Sequence, residues 1–318
     1  MIAAEQAHSS AAPVAIETGK LYVGMDIGGT KTAAVVIDAA GNLGADVLLP
    51  TAQGNDGVLR TAEEAMLALA EQTGCAVSDF SAAGLGIPGQ VDSVRGVVRY
   101  AYNLGVESLE LAALLRERTG VEVAIENDVT AAAVGAAHLM QLSGSVAYIN
   151  LGTGLSAGIV VEGKPWRGSQ GLAGEVGHLA VDPRGRLCPC GQRGCLETVA
   201  SGSALKAYWP AGGEHPGWVL AAAVASGDAD AKLAFELLVE GAASTVRAMG
   251  VTIAPEAVVI GGGLRKIGTP LIEGIREQLR AWEAESPFLS GFTLSQRLQV
   301  LPEGMPAATV GAALSPRV

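Results

Sequence analysis

Apolar and polar residues follow two rhythms along this chain. "LYVGMDI" has the pattern of a buried strand and breaks at "GGT"; "KTAAVVID" and "LGADVLLP" follow as further strands after short turns. These three read as neighbouring antiparallel strands. The rhythm then changes. "NDGVLRTAEEAMLALAEQTG" opens on Asn and Asp and spaces its apolar residues as a helix does. "FSAAGLGIPG" reads as a strand entering a turn, and "SLELAALLRERTG" as a helix stopped by Gly120. "VEVAIEND" is a strand with polar residues at its end, and "VTAAAVGAAHLM" is a helix behind it.

The second half returns to the opening theme. "SVAYINL", "GTG" and "LSAGIVV" repeat the strand, glycine turn and strand of the beginning. Helices follow at "GWVLAAAVASG" and "ADAKLAFELLVEGAASTVRAMG". "EAVVIGGGL" is a strand running into glycines, "GTPLIEGIREQLRAW" a helix, "LQVLP" a short strand and "PAATVGAAL" a closing helix. Alternating strands and helices in both halves predict an α/β fold of two similar domains with a cleft between them. The expected division is a tail over 1–20, a small domain over 21–127 and a large one over 128–302. Residues 303–318 form a segment that could return to the small domain.

Composition narrows the classes. At 49% hydrophobic, the 318 residues can bury a large core without cross-links. The net charge of −11 repels nucleic acid and anionic membranes, so neither is expected as a partner. No long apolar run suits a membrane span. The opening residues lack the basic start and apolar core of a signal peptide. A cytoplasmic location is therefore expected, where thiols stay reduced. The 43 glycines are about twice the usual share of roughly 7%, which implies many tight turns or close backbone approaches.

Some of those glycines stand where phosphate could bind. In "DIGGTKT", the backbone of Gly28 and Gly29 could surround a phosphate, with Thr30 and Lys31 adding a hydroxyl and a cation. Asp26 at the strand end is placed to hold a water of Mg²⁺. An ordinary hairpin with an Asp capping its own turn is the other reading. "LGTG" repeats the arrangement with Gly152, Thr153 and Gly154, and two such turns in duplicated positions suggest a nucleotide held across the cleft. Gly261, Gly262 and Gly263 end a strand where backbone can lie close to a base or ribose. Phosphoryl transfer to an alcohol also needs a base beside the hydroxyl. Asp128, in "IEND", is the candidate, although a helix cap is the simpler local role for it.

His178, Cys188, Cys190 and Cys195 are spaced H-x9-C-x-C-x4-C, which suits a closed tetrahedral Zn²⁺ site of structural type. The fourth cysteine, Cys75, reads as a core residue. The metal would sit in a loop over 178–195 and fix the segment that holds Glu175, His178 and Glu197, whose polar groups could grip a polyhydroxylated ligand. One ring nitrogen of His178 would bind the metal and leave the other for a hydroxyl.

Taken together, these motifs resemble the ROK family of bacterial repressors, open-reading-frame proteins and sugar kinases. The resemblance runs from about Leu21 to the C-terminus, carried by "DIGGTK", "GLGIPG", "LGTG", "GLAGEVGH" and "CPCGQRGCLE". It implies a two-domain actin-like ATPase fold of the ribonuclease H and hexokinase type. It also implies ATP and Mg²⁺ as cofactors beside structural Zn²⁺, and Asp128 as catalytic base. Asn103, Asn127, Glu175, His178 and Glu197 would contact the sugar. Two positions depart from the family pattern. Thr130 stands where Asn is common, and Val106 where glucose-preferring members often carry Trp, which bears on the sugar pocket.

The reading that follows is an ATP-dependent kinase for the 6-hydroxyl of a hexose, glucose first. An N-acetylhexosamine kinase is the alternative within the enzyme class; fructose or mannose as acceptor and polyphosphate as donor rank lower. A sugar-sensing regulator is the alternative outside it, disfavoured because about twenty residues without basic or helical pattern precede the first strand. A homodimer or higher homo-oligomer is expected from the family, with "AAAVASG" as a suitable surface.

Overall fold

A computed structural model describes residues 19–317 of the chain. Most of the expected tail, residues 1–18, lies outside the described residues. The first three strands, β1 (Leu21–Ile27), β2 (Lys31–Ile37) and β3 (Leu43–Pro50), are antiparallel neighbours, as their short glycine turns predict. Helix α1 (Gly54–Thr73) presents Val58, Ala62, Ala65, Met66 and Leu69 on one buried face. Gly74 ends it in the left-handed conformation, with its N–H on the carbonyls of Ala70 and Glu71. Strand β4 (Phe80–Ile87) then joins β1 in parallel.

A small antiparallel sheet follows, of β5 (Gln90–Asp92), β6 (Val97–Ala101) and β7 (Val106–Leu109). It corrects the expected helix over "SLELAALLRERTG". Ser108 and Leu109 pair with β6, so α2 (Leu111–Thr119) begins only at Leu111. Strand β8 (Val123–Asn127) completes the first large sheet, in the order β3-β2-β1-β4-β8.

Helix α3 (Asp128–Leu139) leads into the second half. There β9 (Ser145–Leu151) and β10 (Leu155–Val161) form a hairpin, edged by β11 (Lys164–Pro165). A long irregular segment ends at α4 (Gly202–Tyr208), followed by α5 (Pro216–Ala225) and α6 (Ala229–Ile253). Strand β12 (Ala257–Gly261), α7 (Thr269–Glu285), the single turns α8 (Pro287–Ser290) and α9 (Leu294–Arg297), β13 (Leu298–Val300) and α10 (Ala307–Leu314) complete the chain. The second sheet, β11-β10-β9-β12-β13, repeats the first strand for strand: three antiparallel strands, then two parallel additions. The duplication visible in two glycine turns extends through the whole sheet.

Each sheet has one face in its own core. Val23, Met25 and Ile27 of β1 meet α1 and α2, and Ala147, Ile149 and Leu151 of β9 meet α4 to α7. Because strand side chains alternate, the intervening positions face the layer between the sheets. Helices α3 and α10 fill that layer. Helix α10 packs across β1, β2 and β4, and α3 touches β4 as well as β9 and β10. The approach is close because Gly24 and Gly84 face it: a Cβ at either would collide with the backbone carbonyls of Thr309 and Ala312. No helix among the described residues is long and apolar enough to cross a membrane.

Candidate active site

The alternation that sends Gly24 toward α10 sends Asp26 to the same face at the end of β1. Asp26 pairs in register with Gly86, and Gly86 lies against the start of α3. The two acids of the sequence reading, Asp26 and Asp128, therefore meet. Burial first, and the Asp128 charge second, push the Asp26 carboxyl up to about 6. Burial also raises Asp128, backbone N–H groups of the helix start oppose that rise, and the charge of Glu175 adds to it. Glu175 thus belongs to the same electrostatic neighbourhood.

The competing role for Asp128 falls to its neighbour. Asn127 caps α3, its Oδ1 accepting from the N–H groups of Val129 at 3.0 Å and Thr130 at 3.1 Å. Asn127 makes the capping hydrogen bonds, and Asp128 stands where helix, β1 and β4 converge. Thr130 is buried in the first turn of α3, so its departure from the family pattern is a matter of helix packing. Val106 needs a correction. It is fully buried in the core of the first sheet, so this valine packs in the core and its side chain forms no wall of a sugar pocket.

Both glycine turns are tight. Gly28 N–H donates to the Lys31 carbonyl at 3.0 Å, leaving Thr30 and Lys31 exposed. Gln53 Nε2 holds the Gly29 carbonyl at 2.7 Å, and Asn103 lies directly over Gly29. In the second turn Gly152 N–H donates to the Gly154 carbonyl at 3.0 Å, and Thr153 is exposed. Residues Gly202 and Ser203, at the start of α4, donate to the carbonyls of Gly152 and Thr153. Of the three glycines at the end of β12, Gly263 is open to the surface and Gly262 is half-buried against the Leu151 carbonyl and Asn150; Gly261 is buried under the Tyr148 ring and offers no surface to a ligand.

His178 and the three cysteines converge: their ligand atoms all lie within 4.8 Å of one another. Cys188 Sγ is 3.7 Å from His178 Nδ1, and Cys190 Sγ is 3.6 Å from Cys195 Sγ. Metal–sulfur bonds of about 2.3 Å at tetrahedral angles require sulfur pairs about 3.8 Å apart, so the donor set fits a thiophilic ion. Nδ1 faces the sulfurs, which leaves Nε2 directed elsewhere. The same loop reaches the second glycine turn through Glu197, whose Oε2 accepts the Leu155 N–H at 2.9 Å. Cys75 is partly buried against the first core.

Several residues of this region escaped the sequence reading. Tyr148 faces the inter-sheet layer from β9; burial pushes its hydroxyl up to about 12, against the pull of Arg265 and the Gly262 N–H. Asn150 stands between Gly152 and Gly262. Arg265 donates to the Gly262 carbonyl at 3.3 Å. Tyr148 was detectable as a lone polar tip inside an apolar strand. Arg265 carried no signal in sequence, because its meaning comes from a strand far away in the chain.

Two sheets of one strand order, two helices between them and acids where the sheets meet define the two-domain class of actin-like ATPase folds. The chain belongs to the ROK family, whose profile matches residues 22–314. It is 33% identical over 284 residues to a glucokinase of Halalkalibacterium halodurans, covering 82% of this chain and 86% of that one. A ROK hexokinase structure from Thermus thermophilus superimposes with a TM-score of 0.81 at 32% identity, covering 93% of this chain and 97% of the other. A ROK family glucokinase from Streptomyces griseus, solved with glucose and AMPPNP, gives a TM-score of 0.74 at 32% identity over 92% and 98% of the two chains.

Proposed function

We propose that this protein is an ATP-dependent hexose kinase that transfers the γ-phosphoryl group of Mg·ATP to the 6-hydroxyl of glucose. The observation that carries this is the placement of Asp128. Asn127 caps the helix in its stead, and the carboxylate shares one electrostatic neighbourhood with Asp26 and Glu175.

In this reading Asp128 accepts the proton of the acceptor hydroxyl as that oxygen bonds to the γ-phosphorus and the bond to the β-phosphate oxygen breaks, releasing ADP. Burial favours proton uptake by this carboxylate, which suits a base that must hold the proton until product leaves. Asn103, Asn127, Glu175, Glu197 and Nε2 of His178 orient the sugar ring. Gly28, Gly29, Thr30 and Lys31 hold one end of the phosphate chain; Gly152, Thr153 and Gly154 hold the other, with Gly262 and Gly263 beside the nucleoside. Mg²⁺, held through water by Asp26, would offset phosphate charge. Zn²⁺ on His178, Cys188, Cys190 and Cys195 would lock the sugar-binding loop without touching the reaction. The division into a small domain over 21–127 and a large one over 128–302 belongs to the same proposal, as do a cytoplasmic location and a homo-oligomer.

The test is ADP release with Mg·ATP against glucose, mannose, fructose, N-acetylglucosamine and N-acetylmannosamine. Glucose is expected to be turned over fastest, and Asp128→Asn is expected to lose at least about a hundredfold in kcat while still binding the sugar. Fastest turnover of an N-acetylated sugar would reassign the acceptor. Binding without turnover would mean a sugar sensor.

A further inference from the structure

One ion pair, its carboxylate buried and its guanidinium partly exposed, takes no part in the scheme above. Glu126, immediately before Asn127 and Asp128, is only 3% exposed. Arg167, on the segment after β11, directs Nε and Nη2 onto its Oε2 at 2.7 and 2.6 Å. The other oxygen, Oε1, accepts the N–H of Asn127 at 3.1 Å. The carboxylate therefore grips the backbone of the acid-bearing turn with one oxygen and a residue of the second half of the molecule with the other. Arg167 in turn closes a loop on itself: its carbonyl accepts the N–H of Ala173 at 3.1 Å, two residues before Glu175. The Gly174 carbonyl, accepting from Ala157 and Val176, pins the far end of that loop to β10.

We infer that Glu126 and Arg167 are positioning residues that hold the loop bearing Glu175 in register with the turn bearing Asn127 and Asp128. This rests on the kinase reading above. Two of the groups proposed to meet the acceptor come from different sheets, and this pair joins them by side-chain bonds at the root of both segments. Stability alone is a weak reason to keep it. Exchanging a buried ion pair for well-packed apolar groups is often neutral or stabilising. Displacing a reacting group by about 1 Å, in contrast, can cost about a hundredfold in rate.

The test uses Glu126→Gln, Arg167→Met and the double variant, which leaves no unpaired charge. Acceptor KM is expected to rise about tenfold or more, with a fall in kcat, in both single variants. The KM for ATP should stay within about twofold of wild type. The double variant is expected to regain the wild-type melting temperature but keep the acceptor defect. A double variant with wild-type acceptor KM and kcat would overturn the inference and leave the pair a structural one. Arg167→Lys, which keeps the charge but loses the two-pronged grip, serves if Arg167→Met does not fold, and a partial acceptor defect is expected of it. Hydrogen exchange over 168–175 without substrate reads the tie directly. Faster exchange in the variants is expected, and unchanged exchange would count against the tie. If wild-type protein phosphorylated none of the sugars, the kinase reading would fail while the exchange measurement still decided whether the pair holds the loop.

Discussion

Asp26 and Asp128 face each other across the meeting point of β1, β4 and α3, an arrangement that costs stability. The folded-state pKa of Asp26 is about 6, above the ordinary 3.8. Its contribution to stability is therefore fully present below about pH 4 and is lost as pH rises through about 6. The loss is on the order of 3 kcal/mol at ~1.4 kcal/mol for each pH unit. Asp26→Asn, measured by thermal melts without nucleotide, should melt higher than wild type at pH 7 to 8 and alike at pH 4. Equal melting temperatures at pH 8 would mean that the acid is not strained. The raised Asp128 pKa makes a kinetic counterpart. The rate should fall on acidification with an apparent pKa above the ordinary carboxylate range, read from kcat/KM against pH. "IEND" marked this turn as polar in sequence. That the cap is Asn127 and not Asp128 follows from which side chain reaches the helix N–H groups, and that depends on the backbone angle at the end of β8.

Among the elements, the irregular segment between β11 and α4 gains its shape from few regular bonds. Isolated bridges join Ala180 to Cys195 and Leu187 to Arg193, and the four-residue donor set spans the same stretch from His178 to Cys195. If the proposed metal were removed, the loop would lose its strongest tie, and Glu197 the frame that aims it at the second glycine turn. Chelation, or Cys188→Ser, should raise acceptor KM about tenfold or more, lower the melting temperature and leave the KM for ATP nearly unchanged. Elemental analysis should find one zinc per chain in fresh protein. Loss of zinc without change in KM would make the loop independent of its metal. The spacing of the cysteines was enough to foresee this cluster, because ligands so close in sequence need only a short loop to converge. The small sheet of β5 to β7 was not foreseen. Ser108 and Leu109 read equally well as the start of an amphipathic helix, and only pairing with β6 decides the case.

At the scale of the whole molecule, α3 and α10 form the layer through which the halves touch. Small residues dominate that layer: Gly135 and Gly311 let the two helices cross with their backbones nearly in contact. Such a crossing can pivot with little change in side-chain packing, and closure over bound sugar would exclude water from the transfer. Small-angle scattering should show a smaller radius of gyration with glucose than without it. ATP hydrolysis in the absence of sugar should be at least about a hundredfold slower than phosphoryl transfer. An unchanged radius with saturating glucose would argue against a closing cleft.

The sequence by itself determined most of the elements, the repeated strand-turn-strand unit, the four-residue His and Cys donor set and the identity of the acids. Each depends on residues within one turn, one strand or one short loop. Periodicity and spacing record such local geometry directly. Tertiary structure alone decided which polar groups meet. Glu126 finds Arg167 forty-one residues on, and Tyr148 finds Arg265 and the acids across the inter-sheet layer. It also decided that Val106 is core and that Gly261 is covered. The reason is that long-range neighbours are set by how two sheets stack on shared helices, and no single stretch of this chain encodes that stacking.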